Sequence, residues 1–157
     1  MLLNHAQIKK LLPHRYPMAL VDAVLSVEPG ARIIAVKNIT GNEPCFAHLP
    51  DEADWRSYAY PASLVMESFG QAAGLLYLLG AEPPGEREHL VMLFGAATRC
   101  RFEGEAFPGE MLEHRASLER TFTDAAIFRG EVWVSDRRIV SIERMVMALR
   151  PARALRN

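Results

Sequence analysis

The sequence predicts an α+β protein in which an antiparallel sheet wraps around one long, buried helix. Three observations point there. Residues 62–79 are apolar on nearly every face, the pattern of a helix enclosed by protein rather than lying on a surface. The chain that follows reads as consecutive strands joined by turn signals, with no repeating βα alternation, which excludes a doubly wound parallel sheet. The chain before it holds a short helix and a pair of strands around Pro29-Gly30.

Each element has its own signal. His5 to Leu12 carries apolar residues at a helical rhythm, and Pro13 stops it. Met18 to Val27, rich in Val, Leu and Ala, reads as a strand; Pro29-Gly30 turns the chain, and Arg32 to Ile39 reads as the returning strand. Gly41 to Tyr60 contains Pro44, Pro50, Trp55, Arg56 and several acidic residues and reads as a long irregular loop, a length often tied to function. Pro61 opens the long helix, where its missing N–H costs nothing, and Gly80 can end it before a Glu82-Pro83-Pro84-Gly85 loop. His89 to Thr98 is a short apolar strand. Met111 to Phe122 alternates, with Leu112, His114, Ala116, Leu118 and Phe122 on one face. Ala125 to Val134 and Ile139 to Leu149 are joined through Ser135-Asp136-Arg137-Arg138, and Pro151 to Asn157 reads as a frayed tail. A sheet wrapped around one helix in this order is the hot-dog architecture, and no domain boundary is expected across residues 1–157.

Composition narrows the function. The chain has 157 residues, half of them hydrophobic, so a sizeable core is expected. Lys plus Arg (18) nearly balance Asp plus Glu (19), which argues against a dedicated nucleic-acid binder. Two cysteines, Cys45 and Cys100, are too few for a disulfide framework and lack metal-type spacing. The N-terminus has no signal-peptide pattern, and the run Ala72 to Leu79 is too short to cross a bilayer. A cytoplasmic protein away from the membrane is expected.

Glu67 is the only charged side chain between Pro61 and Gly80. With Ser63 and Gln71 at four-residue spacing it forms a polar stripe along the helix. Such a stripe either faces water or holds a carboxyl group at the edge of an apolar cavity. In the second case burial would raise its pKa and let it donate a proton near neutrality. Five histidines are present. On residue type alone none of His5, His14, His48, His89 and His114 stands out, and His14 and His114 read as a turn and a strand residue.

A resemblance adds to this. Leu11-Leu12-Pro13-His14-Arg15-Tyr16-Pro17 followed by Leu20-Val21-Asp22 resembles the opening signature of FabZ-type 3-hydroxyacyl-acyl-carrier-protein dehydratases. Ala35-Val36-Lys37-Asn38, Asn42-Glu43-Pro44, His48-Leu49-Pro50, the set Pro61, Glu67 and Gln71, then Arg101-Phe102 and Pro108-Gly109-Glu110 resemble further motifs of that family in the same order. The likeness spans roughly Ile8 to Leu149.

The resemblance implies that His48 is the base removing a proton next to the thioester carbonyl and that Glu67 protonates the departing hydroxyl. It implies backbone donors to the carbonyl near Ala62 and Ser63, at the positive end of the helix. Tyr60 and Gln71 complete the expected substrate-binding set. No metal or organic cofactor is called for. The histidine and the acid of one site would come from two subunits, so a homodimer is expected, or a higher homo-oligomer such as a trimer of dimers. The substrate would ride on acyl carrier protein or coenzyme A. Lys9, Lys10, Arg99, Arg101, Arg137 and Arg138 are candidates for a basic rim facing an acidic carrier.

The sequence also departs from the family pattern. Ala47 replaces the glycine before the histidine, the approach to His48 looks one residue shorter, and about five extra residues follow it. Pro61-Ala62 stands for Pro-Gly, and Ser68-Phe69-Gly70 for Ala-Met-Ala. Because these changes cluster near the expected site, they point to an altered acyl substrate, of a polyketide or polyene kind. Two other readings remain open at this point: a hot-dog thioesterase, and a non-catalytic acyl-binding or scaffold subunit.

Overall fold

The computed structural model describes residues 1–80 and 90–151. Its elements, in chain order, are β1 (Leu3–Asn4), α1 (His5–Leu11), β2 (Ala23–Glu28), β3 (Arg32–Asn38), two short 3-10 turns (Pro44–Phe46 and Trp55–Tyr58), α2 (Ala62–Gly80), β4 (Leu90–Phe102), β5 (Met111–Thr121), β6 (Ala125–Val134) and β7 (Arg137–Pro151). The seven strands form one antiparallel sheet in the order β1-β2-β3-β5-β6-β7-β4. The expected Glu82–Gly85 loop, His89 and the tail beyond Pro151 lie outside the described residues.

The sheet curves around α2, which lies chiefly against β5 and β3. Val65, Phe69, Ala72, Ala73, Leu75, Leu76 and Tyr77 of the helix are all buried. By length and composition the stretch Trp55–Gly80 would suit a bilayer, but most of its apolar window is buried within the fold. Its apolarity serves packing against the sheet.

Phe69 sets the depth of that packing. It is fully buried, and its ring reaches the backbone of β6 at Gly130. A Cβ on Gly130 would lie 2.8 Å from the Phe69 ring and would also collide with the Arg115 carbonyl of the neighbouring strand. Glycine here is a matter of space: only a bare Cα lets ring and strand approach so closely.

Most predicted elements appear where expected, and the differences have physical causes. Met18 to Asp22 is not strand; β2 begins at Ala23. The backbone of this segment is instead held by Gln71, which accepts from Leu20 N at 3.0 Å and donates to Met18 O at 2.7 Å. In β5 the alternation holds for Leu112, His114 and Ala116, but the register shifts between Leu118 and Arg120. That bulge moves the following residues out of phase, so Phe122 is exposed rather than inward. In the β6–β7 hairpin the strands run closer to the turn than expected, and Ser135 takes the positive φ of 52° that a two-residue connection demands.

His114 is the least expected member of the core. It is fully buried, its ring meets Phe69 edge-on at 6.3 Å, and neither ring nitrogen has a hydrogen-bond partner. Burial, reinforced by the Lys37 charge, pushes its pKa down to about 3. The unfolded chain, with the ordinary value near 6.5, therefore binds this proton more readily than the folded one. Stability is complete above pH ~6.5 and falls as pH drops toward 3, by up to about tenfold in the folding equilibrium per pH unit. We expect urea unfolding at pH 5 to show a loss of roughly 25-fold relative to pH 7 from this group. His114→Leu should remove that component, so an equally steep pH dependence in the variant would refute the assignment.

Candidate active site

The polar stripe on α2 turns inward toward the segment that precedes β2. Gln71 is almost fully buried. Its amide oxygen and both its N–H donors are engaged, by Leu20 N, Met18 O and Glu67 Oε1 (2.9 Å). It therefore acts as a tie between helix and opening segment, with both N–H donors engaged.

Glu67 is half-buried beside it. The partner brought to it is His14, whose Nε2 lies 3.3 Å from Glu67 Oε1. His14 is delivered by the stretch Pro13–Pro17, and Arg15 braces it by donating to the carbonyls of Leu12 (2.9 Å) and His14 (2.7 Å). The hydrogen bond from His14 holds the Glu67 carboxyl below the ordinary range; burial opposes this and Gln71 assists it. This corrects the expectation that burial would raise the value: in this chain two N–H donors outweigh desolvation.

His48 sits elsewhere. It follows the 3-10 turn Pro44–Phe46, is exposed, and makes no side-chain hydrogen bond among the described residues. The turn beneath it is firmly built. Phe46 is buried, with Tyr58 edge-on to it at 5.4 Å. Lys37 and Glu43 form a nearly buried ion pair at 2.7 Å, and Lys37 also donates to Asn38 O. Ala47 takes φ −60°, so the position before His48 needs no glycine.

The extra residues after His48 fold back onto the protein. Asp54 caps the second 3-10 turn by accepting from Arg56 N at 3.0 Å. Trp55 packs on Phe107 at 4.6 Å between ring centroids, with the Arg56 guanidinium 5.7 Å from the Trp55 ring.

Ala62 and Ser63 open α2 and are exposed. Their N–H groups have no carbonyl four residues back within the helix, whereas those of Leu64 and Val65 bond to Pro61 O at 2.9 and 3.0 Å. Tyr60 lies in the core rather than at a surface. Its exposure is 4 %, its N–H donates to Ala106 O at 2.7 Å, and its buried hydroxyl has no partner. Burial, with Glu43 nearby, pushes its phenol well above the usual range.

Of the six expected rim cations, Arg99, Arg137 and Arg138 are paired with Glu143, Glu110, and Glu103 with Glu131. Lys9, Lys10 and Arg101 have no carboxylate partner among the described residues.

The arrangement thus offers an oriented carboxyl group, a histidine hydrogen-bonded to it, free N–H groups at a helix start, and a second, solvent-facing histidine on a braced turn. Sequence reasoning missed His14 as a partner of Glu67, although it lies inside the quoted opening motif. The signal was its place in that motif; spacing alone does not connect residues 14 and 67.

Comparison with known proteins places the chain in a family. Residues 12–143 match the model of the FabA-like domain. The 3-hydroxyacyl-acyl-carrier-protein dehydratase FabZ of Colwellia psychrerythraea is 35 % identical over 146 residues, covering 92 % of each chain. FabZ of Oleidesulfovibrio alaskensis is 42 % identical over 120 residues, 76 % of this chain and 73 % of that one. Among solved structures, the dehydratase heterocomplex ApeI:P from Xenorhabdus doucetiae superposes with TM-score 0.74 at 16 % identity, covering 94 % of this chain and 93 % of that one. A thioesterase superfamily member from Thermus thermophilus superposes with TM-score 0.60 at 16 % identity, covering 83 % and 89 %. At these identities the two structures establish the hot-dog fold.

Proposed function

Since this chain belongs to the FabA-like family and is similar over most of its length to FabZ dehydratases, we propose that it removes water from a 3-hydroxyacyl thioester to give the trans-2-enoyl thioester. The observation that carries this reading is Glu67: a lone carboxyl on a buried helix, oriented by two N–H donors. In this reading His48 takes the proton from C2, Glu67 protonates the C3 hydroxyl as it leaves, and the amides of Ala62 and Ser63 receive the charge that develops on the thioester oxygen. Acid and base groups of this type each contribute about 10²–10⁴-fold.

His48 and Glu67 are not in contact within one chain, which favours a site shared between two copies. The edge strand β4 supports the same view: among the described residues it pairs with β7 alone, and Phe94 and Phe102 on it are about half exposed. An open strand edge carrying exposed aromatics is a surface suited to a second copy. The thioester carrier is an acyl carrier protein, its acidic surface met by Lys9, Lys10 and Arg101, which have no carboxylate partner among the described residues. Two free thiols, Cys45 and Cys100, suit a reducing cytoplasm. The remodelled stretch around Trp55 points to an unusual acyl chain, such as that of a polyketide or polyene.

The test is interconversion of 3-hydroxyacyl and trans-2-enoyl thioesters by purified protein over a panel of chain lengths, on acyl carrier protein and on coenzyme A. Enoyl formation supports the reading; release of free thiol without enoyl product would replace it with thioester hydrolysis, and inertness on every substrate would leave a binding subunit. Sharing of the site is tested by mixing two inactive proteins, His48→Ala and Glu67→Gln, through a denaturation–refolding step. Random pairing of a symmetric dimer should restore roughly a quarter of wild-type activity, because each mixed dimer has one intact site. No recovery would mean that the two residues serve from the same chain.

A further inference from the structure

The two oxygens of Glu67 have unequal surroundings. Oε1 is held by Gln71 Nε2 at 2.9 Å and His14 Nε2 at 3.3 Å, whereas Oε2 has no protein partner among the described residues. A carboxyl group that gives up a proton must carry it on one oxygen, in a direction fixed before the reaction. We infer that His14, together with Gln71, holds Oε1 as a hydrogen-bond acceptor and so confines the transferable proton of Glu67 to Oε2, which makes His14 a positioning residue for the dehydration. This rests on the dehydratase reading of the same site.

The other features of His14 agree. Its ring is half-buried, and among the described residues its buried Nδ1 has no hydrogen-bond partner, while Nε2 meets Glu67. Facing a carboxylate, Nε2 must carry the hydrogen. Leaving the buried Nδ1 unpaired is unfavourable. The segment bearing His14 is nonetheless tied down on both sides, by Arg15 to the Leu12 and His14 carbonyls and by Gln71 to Met18 and Leu20. The ring is therefore held in place from outside itself. Among the described residues, His14 faces Glu67, Arg15 turns its guanidinium to backbone carbonyls, and α2 carries no other charge.

The step balances as follows. The Oε2–H bond breaks, and its proton joins the departing hydroxyl. The C3–O electrons leave with the oxygen as water, and the C2–H electrons become the C2–C3 double bond while His48 keeps the C2 proton. Throughout, Oε1 remains an acceptor, so the carboxylate formed is already solvated by two N–H groups. That lowers the cost of forming it, while the same two donors reduce the fraction of Glu67 that carries a proton before substrate arrives.

Two variants test the inference. His14→Leu removes the donor; His14→Gln keeps an N–H near the position of Nε2. With a 3-hydroxyacyl thioester, His14→Leu should lower kcat roughly 10- to 100-fold with KM within about twofold, the signature of a misplaced group rather than lost binding. His14→Gln should recover most of that loss. In parallel, the Glu67 carboxyl, followed by carbon-13 NMR of labelled protein, should titrate at higher pH in His14→Leu than in wild type, with His14→Gln between them. The inference is overturned if kcat in His14→Leu stays within about twofold of wild type, or if Glu67 titrates at the same pH in all three proteins. If His14→Leu does not fold, His14→Gln and the wild-type titration decide. If wild type makes no enoyl product, the dehydratase reading fails on its own, and the titration still decides whether His14 holds the carboxyl.

Discussion

Glu67→Gln should reduce conversion of a 3-hydroxyacyl thioester to its enoyl product by about 10²–10⁴-fold, with little change in KM and little change in thermal stability. The size follows from the role: an amide cannot give up a proton to a departing hydroxyl, and no second carboxyl stands on α2 to replace it. The small effect on folding follows from the contacts. A glutamine amide oxygen can still accept from Gln71 and His14 where Oε1 does now, so the tie to the opening segment survives. Measuring kcat, KM and the unfolding midpoint of one preparation separates the two effects. Retained dehydration would remove Glu67 from the chemistry, and a large drop in midpoint would make its role structural.

Phe69→Ala should cost about 3–5 kcal/mol of stability, the range for deleting a large, fully buried aromatic side chain. Phe69 is the strongest case in this fold because its ring fills the recess above Gly130 and forms one wall around His114. Gly130 cannot close the gap, having no side chain, and the strand beneath it is fixed by pairing to β5 and β7. For a chain of this size each kcal/mol moves the unfolding midpoint by about 2–4 °C, so a fall of roughly 10 °C is expected by calorimetry. A shift of only a degree or two would mean that the helix settles onto the sheet, and that the recess is less rigid than its packing indicates.

The sequence made the scaffold legible because its signals are local. The apolar run of α2, the alternation through Leu112, His114 and Ala116, and the turn residues Pro29-Gly30 each act within one element. Where a signal was interrupted, the reading slipped. The bulge after Leu118 reversed the face of Phe122, and Met18 to Asp22 looked like strand because its backbone partner is a side chain, Gln71, from a distant helix. The site divides the same way. Glu67 was visible as an isolated charge, and the stripe it forms with Gln71 is a true contact. The protonation of Glu67 was not visible, since it depends on His14, which arrives from another part of the chain. Tyr60 shows the converse: beside a loop it reads as accessible, but packing against Phe46 and the Ala106 carbonyl draws it into the core.

The Gln71 tie bears on how the protein reaches its native state. It joins residues 51 and 53 positions apart, so the Glu67 carboxyl is braced only after the opening segment has returned across a helix that lies far along the chain. Contacts of such long sequence separation require closing a large loop and form slowly compared with a helix or a hairpin. In a refolding experiment α2 and the β2–β3 hairpin should regain their backbone signals first, and catalytic competence should trail them. An early collapsed species would then hold the carboxyl without its brace: folded by most spectroscopic measures, and still chemically idle.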